Sequence, residues 1–156
     1  MIENRLDGYE LRLTGFSVSC CIVDFGFTLH LVRPLAPARN QRDQGEATLR
    51  IEGPFDYTTD GVTNRCDTER DPRTAGSALA LHQHVVEAAF VDVDSNLRLT
   101  FDNGATVWVP SDARYETWTF AGPNGLLVVC SPGGRVSIFP ARSGPDGSHT
   151  QGPTHS

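Results

Sequence analysis

The sequence predicts a β-rich α+β domain of antiparallel meanders with one short helix. Three observations carry that reading. The 156 residues include 15 Gly and 10 Pro, which cut the chain into short segments. Those segments are rich in Val, Leu, Phe and Thr, residues that suit a pleated, half-buried surface. Several of them alternate apolar with polar side chains, the period of a strand with one face in the core.

Taken in order, strands are expected near residues 17–23, 27–32 and 48–51. Residues 56–74 are polar and turn-rich, and so predict an excursion or a mobile loop. Ser77 can cap a short helix from Ala78 to about His82, after which residues 85–91 return to strand composition. The clearest element follows: Leu97-Arg98-Leu99-Thr100-Phe101, then Asp102-Asn103-Gly104, then Ala105-Thr106-Val107-Trp108-Val109. A two-residue Asn103-Gly104 turn would pair Leu99 with Trp108 and mix the faces. A three-residue loop with Gly104 in the left-handed conformation pairs Leu99 with Val107 and Leu97 with Val109. That register is preferred, because it gathers Leu97, Leu99, Phe101, Val107 and Val109 on one face and leaves Arg98, Thr100, Thr106 and Trp108 on the other.

Downstream, Glu116, Trp118 and Phe120 alternate with Tyr115, Thr117 and Thr119, and Gly122-Pro123-Asn124-Gly125 supplies a turn. Pairing Phe120 with Leu127 aligns the next strand, and Val136 and Ile138 then join Leu127 and Val129 on one face. The runs Val23-Asp24 to Phe55 and Val91-Asp92 to Tyr115 parallel one another, which suggests two related three-strand units, the first with a long loop at residues 33–44. Residues 1–140 read as a single β-rich domain. Residues 141–156 carry no large apolar side chain and are expected to be a disordered tail.

Composition narrows the function. All 13 cationic residues are Arg and none is Lys, which excludes a Schiff-base lysine, a P-loop lysine and a lysine general base. A formal net charge of -6 argues against nucleic acid and favours a basic partner, if any. The first residues lack the apolar core of a secretory signal, and the apolar runs are too short to span a bilayer, so a cytoplasmic location away from membranes is expected.

Motifs for chemistry are sparse. Cys20 and Cys21 are adjacent, Cys66 and Cys130 stand alone, and no C-x-x-C spacing occurs. A metal site from Cys66, His82, His84 and Cys130 is conceivable, but reduced, buried thiols are the plainer account. Asp92-x-Asp94-x-Asn96 opens like a calcium loop, yet Leu97 stands where Gly is needed and Asn103 where a bidentate Glu is needed, so a turn is expected. Asp67, Glu69 and Asp71 lie among Arg65, Arg70 and Arg73, as a solvated mixed-charge face would. No nucleophile elbow is present, and no cofactor or metal is expected.

The aromatic residues carry more. In the preferred register Trp108 falls on the polar face opposite Arg98, the arrangement of an interface anchor, unless a second layer covers that face. Tyr115-Glu116-Thr117-Trp118 adds a carboxylate beside two aromatic rings. Arg98, Trp108, Tyr115, Glu116 and Trp118 are therefore the candidate binding residues.

The segments Ile51-Glu52-Gly53-Pro54-Phe55, Leu97 to Gly104, Tyr115-Glu116-Thr117-Trp118, Gly122-Pro123-Asn124-Gly125 and Val129 to Gly134 resemble a family of uncharacterised small proteins, a domain of unknown function from high-GC bacteria. The resemblance spans roughly residues 11–139, and Phe139 stands where that family often has Trp. It implies no activity. Its compact, acidic, β-rich character is similar to immunity proteins of bacterial toxin systems. The sequence thus favours a noncatalytic binding protein that blocks a basic toxin. The alternative is a small enzyme or ligand-binding domain with a pocket between the meanders, using His82, His84 or Glu116.

Overall fold

The computed structural model describes residues 2–33 and 45–140, so the expected tail and nearly all of the long 33–44 loop lie outside it. The described chain forms β1 (Ile2–Arg5), β2 (Gly8–Leu11), β3 (Ser17–Val23), β4 (Phe27–Val32), β5 (Glu46–Ile51), β6 (Phe55–Thr59) and β7 (Val62–Cys66). A 3-10 helix, Pro72–Leu81, precedes β8 (Val86–Asp92), β9 (Leu97–Phe101), β10 (Thr106–Val109), β11 (Trp118–Ala121), β12 (Leu127–Ser131) and β13 (Arg135–Phe139). One antiparallel sheet runs β1-β2-β8-β9-β10-β6-β7, the other β13-β12-β11-β5-β4-β3.

Alternation decides which side chains turn inward. In β9 and β10, Leu97, Leu99, Phe101, Val107 and Val109 are buried, and Leu99 pairs with Val107 and Leu97 with Val109, as expected. Gly104 adopts φ +84°, its N–H donates to the Phe101 carbonyl, and Asn103 Oδ1 accepts the Ala105 N–H at 3.0 Å. Residues of both sheets share one apolar core. Phe27 of β4 and Phe55 of β6 stack across it with centroids 5.2 Å apart. Each such buried ring contributes about 1.5–3 kcal/mol by leaving water.

The halves of the chain repeat one plan. Strands β3-β4-β5 form a meander in one sheet, and the β6-β7 hairpin that follows crosses to the other; β8-β9-β10 and the β11-β12 hairpin do the same in reverse. Consequently β6 pairs with β10 and β11 with β5. The register shift between Val18 and Cys20 against β4 has its counterpart between Val86 and Ala88 against β9. Phe55 pairs with Cys66 as Trp118 pairs with Cys130, and all four are buried. Where the halves meet, Val18 N–H donates to the His84 carbonyl while Val86 N–H donates to that of Phe16. Gly15 N–H donates to Val86 while Gln83 N–H donates to Val18, with Gly15 and Gln83 both at positive φ. The repeat therefore extends beyond three strands to five. It also matches Phe55 with Trp118, where the sequence comparison aligned Phe55 with Tyr115, because the connector 110–117 is longer than 52–54.

Three expectations are corrected. The polar 56–74 region contains the β6-β7 hairpin, closed by Asp60 and Gly61 at φ +52° and +77°, the left-handed pair that a two-residue hairpin turn requires. The helix begins at Pro72 and is capped by Asp71, whose carboxylate accepts the Arg73 N–H at 3.0 Å, and Ser77 lies inside it. Phe120 pairs with Val128, so Val128 and Cys130 point inward, and Leu127 and Val129 are only half-buried. The 122–126 turn, closed by Gly122 N–H on the Leu126 carbonyl, shifts the strand by one residue and so inverts its faces. The β1-β2 hairpin is an addition that alternation at the N-terminus did not reveal.

Candidate functional site

Four connections meet in one groove of about 460 Å³, lined by Phe25, Glu52, Glu69, Tyr115 and Glu116. Phe25 occupies the tight β3-β4 turn, where Asp24 Oδ1 accepts the Gly26 N–H at 2.8 Å. Thr68 Oγ1 donates to the Phe25 carbonyl at 3.2 Å and ties this turn to the segment carrying Glu69. The N–H groups of Glu52 and Gly53 both donate to the Thr117 carbonyl, which anchors the Tyr115-Glu116 connector against the end of β5. A side chain on Gly53 would meet Thr117 Cγ2 at 3.2 Å and the Tyr115 ring at 3.4 Å, so the absence of one lets the connector lie close.

Charge in the groove is only partly compensated. Arg50 Nε donates to Glu52 at 2.6 Å, and the same guanidinium reaches Asp24 at 3.1 Å and Thr28 Oγ1 at 3.0 Å. The Gly26 amide and then Arg50 hold the Asp24 carboxyl below the usual carboxylate range. Partial burial, and then the Asp112 carboxylate, raise the Tyr115 phenol above its ordinary value, with Arg114 opposing them. Arg114 Cζ stands 5.9 Å from the Tyr115 centroid. Glu69 and Glu116 are exposed and have no ion-pair partner among the described residues. Phe25 is 76% exposed, an unusual place for a large apolar ring.

A second feature lies on the outer face of the seven-stranded sheet. Trp108 is half-buried there, with Arg98 Cζ 5.0 Å from its ring centroid. The pair belongs to a cross-strand row in which Phe90 faces Arg98, Arg98 faces Trp108, Trp108 faces Asp56 and Asp56 faces Arg65. Asp56 and Arg65 form an ion pair at 3.1 Å. The layer that the domain needs as a cover is the other sheet, which packs on the opposite, apolar face.

The structure therefore brings Tyr115 and Glu116 together in the groove and Arg98 and Trp108 together on the sheet, and neither of the latter lines the groove. Trp118 is a core residue: it is fully buried and its Nε1 donates to the Ser95 carbonyl at 3.1 Å. It does not share a strand face with Glu116, because β11 begins only at Trp118. Sequence reasoning missed Phe25 and Glu52, and placed Glu69 on a solvated mixed-charge face. Phe25 had a signal, a large apolar residue inside an Asp-x-Gly turn, where the chain has no room to bury it.

The remaining candidates fall elsewhere. His84 Nδ1 contacts Asp102 Oδ1 at 2.8 Å, and His82 ends the 3-10 helix, exposed. Burial raises the Cys66 thiol to about 11, as it does that of half-buried Cys21, so neither is a ready nucleophile. Asp92 accepts the N–H groups of Asp94 and Asn96 in a plain turn. Among the described residues no group of three or more His, Cys, Asp or Glu could hold a metal ion.

Compared with known proteins, residues 9–140 match the model of a family of unknown function, DUF6188. No curated protein and no solved structure matches the chain.

Proposed function

The chain belongs to the family of unknown function DUF6188, and from its groove we propose that it is a noncatalytic binding protein, of the immunity type, for a basic protein partner. The observation that carries this is the pair of uncompensated carboxylates, Glu69 and Glu116, beside the exposed ring of Phe25 and the half-buried ring of Tyr115. Such a surface attracts cations at long range through the net charge of -6 and holds them at short range by aromatic contact. Trp108 and Arg98 supply a second anchor of the kind that dominates interface energies. The cytoplasm suits both free thiols and such a partner, and no helix among the described residues is long and apolar enough to cross a membrane.

Affinity capture with the purified chain and the products of genes adjacent to its own tests the reading. A basic protein held in a complex that weakens steeply with salt is the expected result. Failure to bind any basic product of those genes would count against it. A small-ligand reading retains one favourable observation, Glu116 in the groove, whereas neither His82 nor His84 lines it.

A further inference from the structure

The groove has an internal control. At the related end of the other half, Asp92 folds the β8-β9 turn as Asp24 folds the β3-β4 turn, each by accepting turn N–H groups. Ser95 Oγ donates to the Gly134 carbonyl there, as Thr68 Oγ1 donates to that of Phe25 here, so each turn is tied by a hydroxyl to the segment after the crossed hairpin. The chemistry is not repeated. The related groove, of about 490 Å³, is lined by Arg5, Leu6, Val93 and Arg135 among others; Asp92, taken up by its own turn, is its one carboxylate and Tyr9 its one aromatic ring. Two carboxylates and two rings converging at one end only are thus not a by-product of the fold.

From this difference we infer that the groove is an arginine pocket, taking one guanidinium of the partner, with Phe25 and Tyr115 as apolar walls and Glu69 and Glu116 as acceptors. The inference rests on the basic-partner reading and names the group recognised. A guanidinium suits this lining better than an ammonium does: it is planar, weakly hydrated, stacks on rings and offers paired N–H groups to carboxylates. Arg50 already satisfies Glu52, which leaves Glu69 and Glu116 to meet an incoming cation. A volume of about 460 Å³ accommodates a long side chain together with the backbone that presents it.

The test is an NMR titration of the full ¹⁵N-labelled chain with the blocked peptide Gly-Arg-Gly and its lysine and citrulline counterparts. The arginine peptide is expected to shift the amides of Phe25, Gly53, Glu69, Tyr115 and Glu116 saturably. It should bind about ten-fold tighter than the lysine peptide, and citrulline should produce no shifts. The double variant Glu69→Gln/Glu116→Gln should weaken binding by about ten-fold or more with its spectrum still dispersed, while Val93→Ala at the related end changes nothing. Equal binding of arginine and lysine, shifts centred on Val93 and Arg135, or full affinity in the double variant would overturn the inference. If affinity capture yields a basic partner but the titration is silent, the arginine assignment falls and the partner reading stands. A groove that titrates while capture yields no basic partner supports the pocket and removes the partner reading.

Discussion

In the first half of the chain the outer row at mid-sheet reads Ile22, Thr28, Arg50, Thr119; in the second half the same row reads Phe90, Arg98, Trp108, Asp56. Arg50 and Trp108 hold equivalent places, yet Arg50 turns to Asp24 and Glu52 and organises the groove, whereas Trp108 lies under Arg98 on an open face. Other positions are shared outright: the register shifts near Val18 and Val86, the turn carboxylates Asp24 and Asp92, the buried pairs Phe55–Cys66 and Trp118–Cys130. What the halves share holds the backbone. What they do not share, Phe25 with Glu69, Tyr115 and Glu116 on one side and Trp108 with Arg98 on the other, is where recognition is to be sought.

The comparison breaks most visibly in the core. Phe55→Ala and Trp118→Ala, at matched positions, should each destabilise by about 3–5 kcal/mol, measured by urea denaturation; a severe loss in only one would show that the halves do not share the core evenly. Cys66→Ser and Cys130→Ser follow, with about 1–3 kcal/mol each for placing a hydroxyl at a buried apolar site, and unequal losses would weaken the equivalence. Trp108→Ala should cost only about 1 kcal/mol in thermal unfolding, the worth of a half-exposed cation–π pair and some contact area, while lowering affinity for a captured partner. A core-sized loss would instead make Trp108 structural.

The smallest effect is a slope. The Asp24 carboxyl is held below its unfolded value by the Gly26 amide and Arg50. Its contribution is therefore present above the unfolded pKa of about 3.9 and is lost as pH falls through the lower folded value. Asp24→Asn should flatten the decline in urea midpoint between about pH 5 and about pH 3, and an unchanged profile would mean that neither the Gly26 amide nor Arg50 favours the carboxylate in solution.

Legibility followed range along the chain. The β9-β10 hairpin was readable to the register, because alternation and the left-handed Gly104 are local and agree. The β6-β7 hairpin was equally local, but its polar composition hid the Asp60-Gly61 turn, since the edge strand β7, Val62-Thr63-Asn64-Arg65-Cys66, buries only Cys66. The β12 register failed by one residue because the 122–126 turn, and not the apolar count, sets the pairing. Of the candidate site residues, Tyr115 and Glu116 were found as neighbours in sequence, and Trp118 was misplaced because a strand boundary lay between them.

By itself the sequence determined the β-rich class, the inward faces of β9 and β10, the likeness of the two halves and the exclusion of lysine chemistry. These follow from local periodicity and composition, which each residue carries with it. Only the tertiary structure decided that each half lends its hairpin to the other's sheet, and that Phe25, Glu52, Glu69, Tyr115 and Glu116 share a groove. Alternation says that a side chain turns inward or outward but not what it will meet, and the partners here are separated by long stretches of chain that only the crossed hairpins bring together.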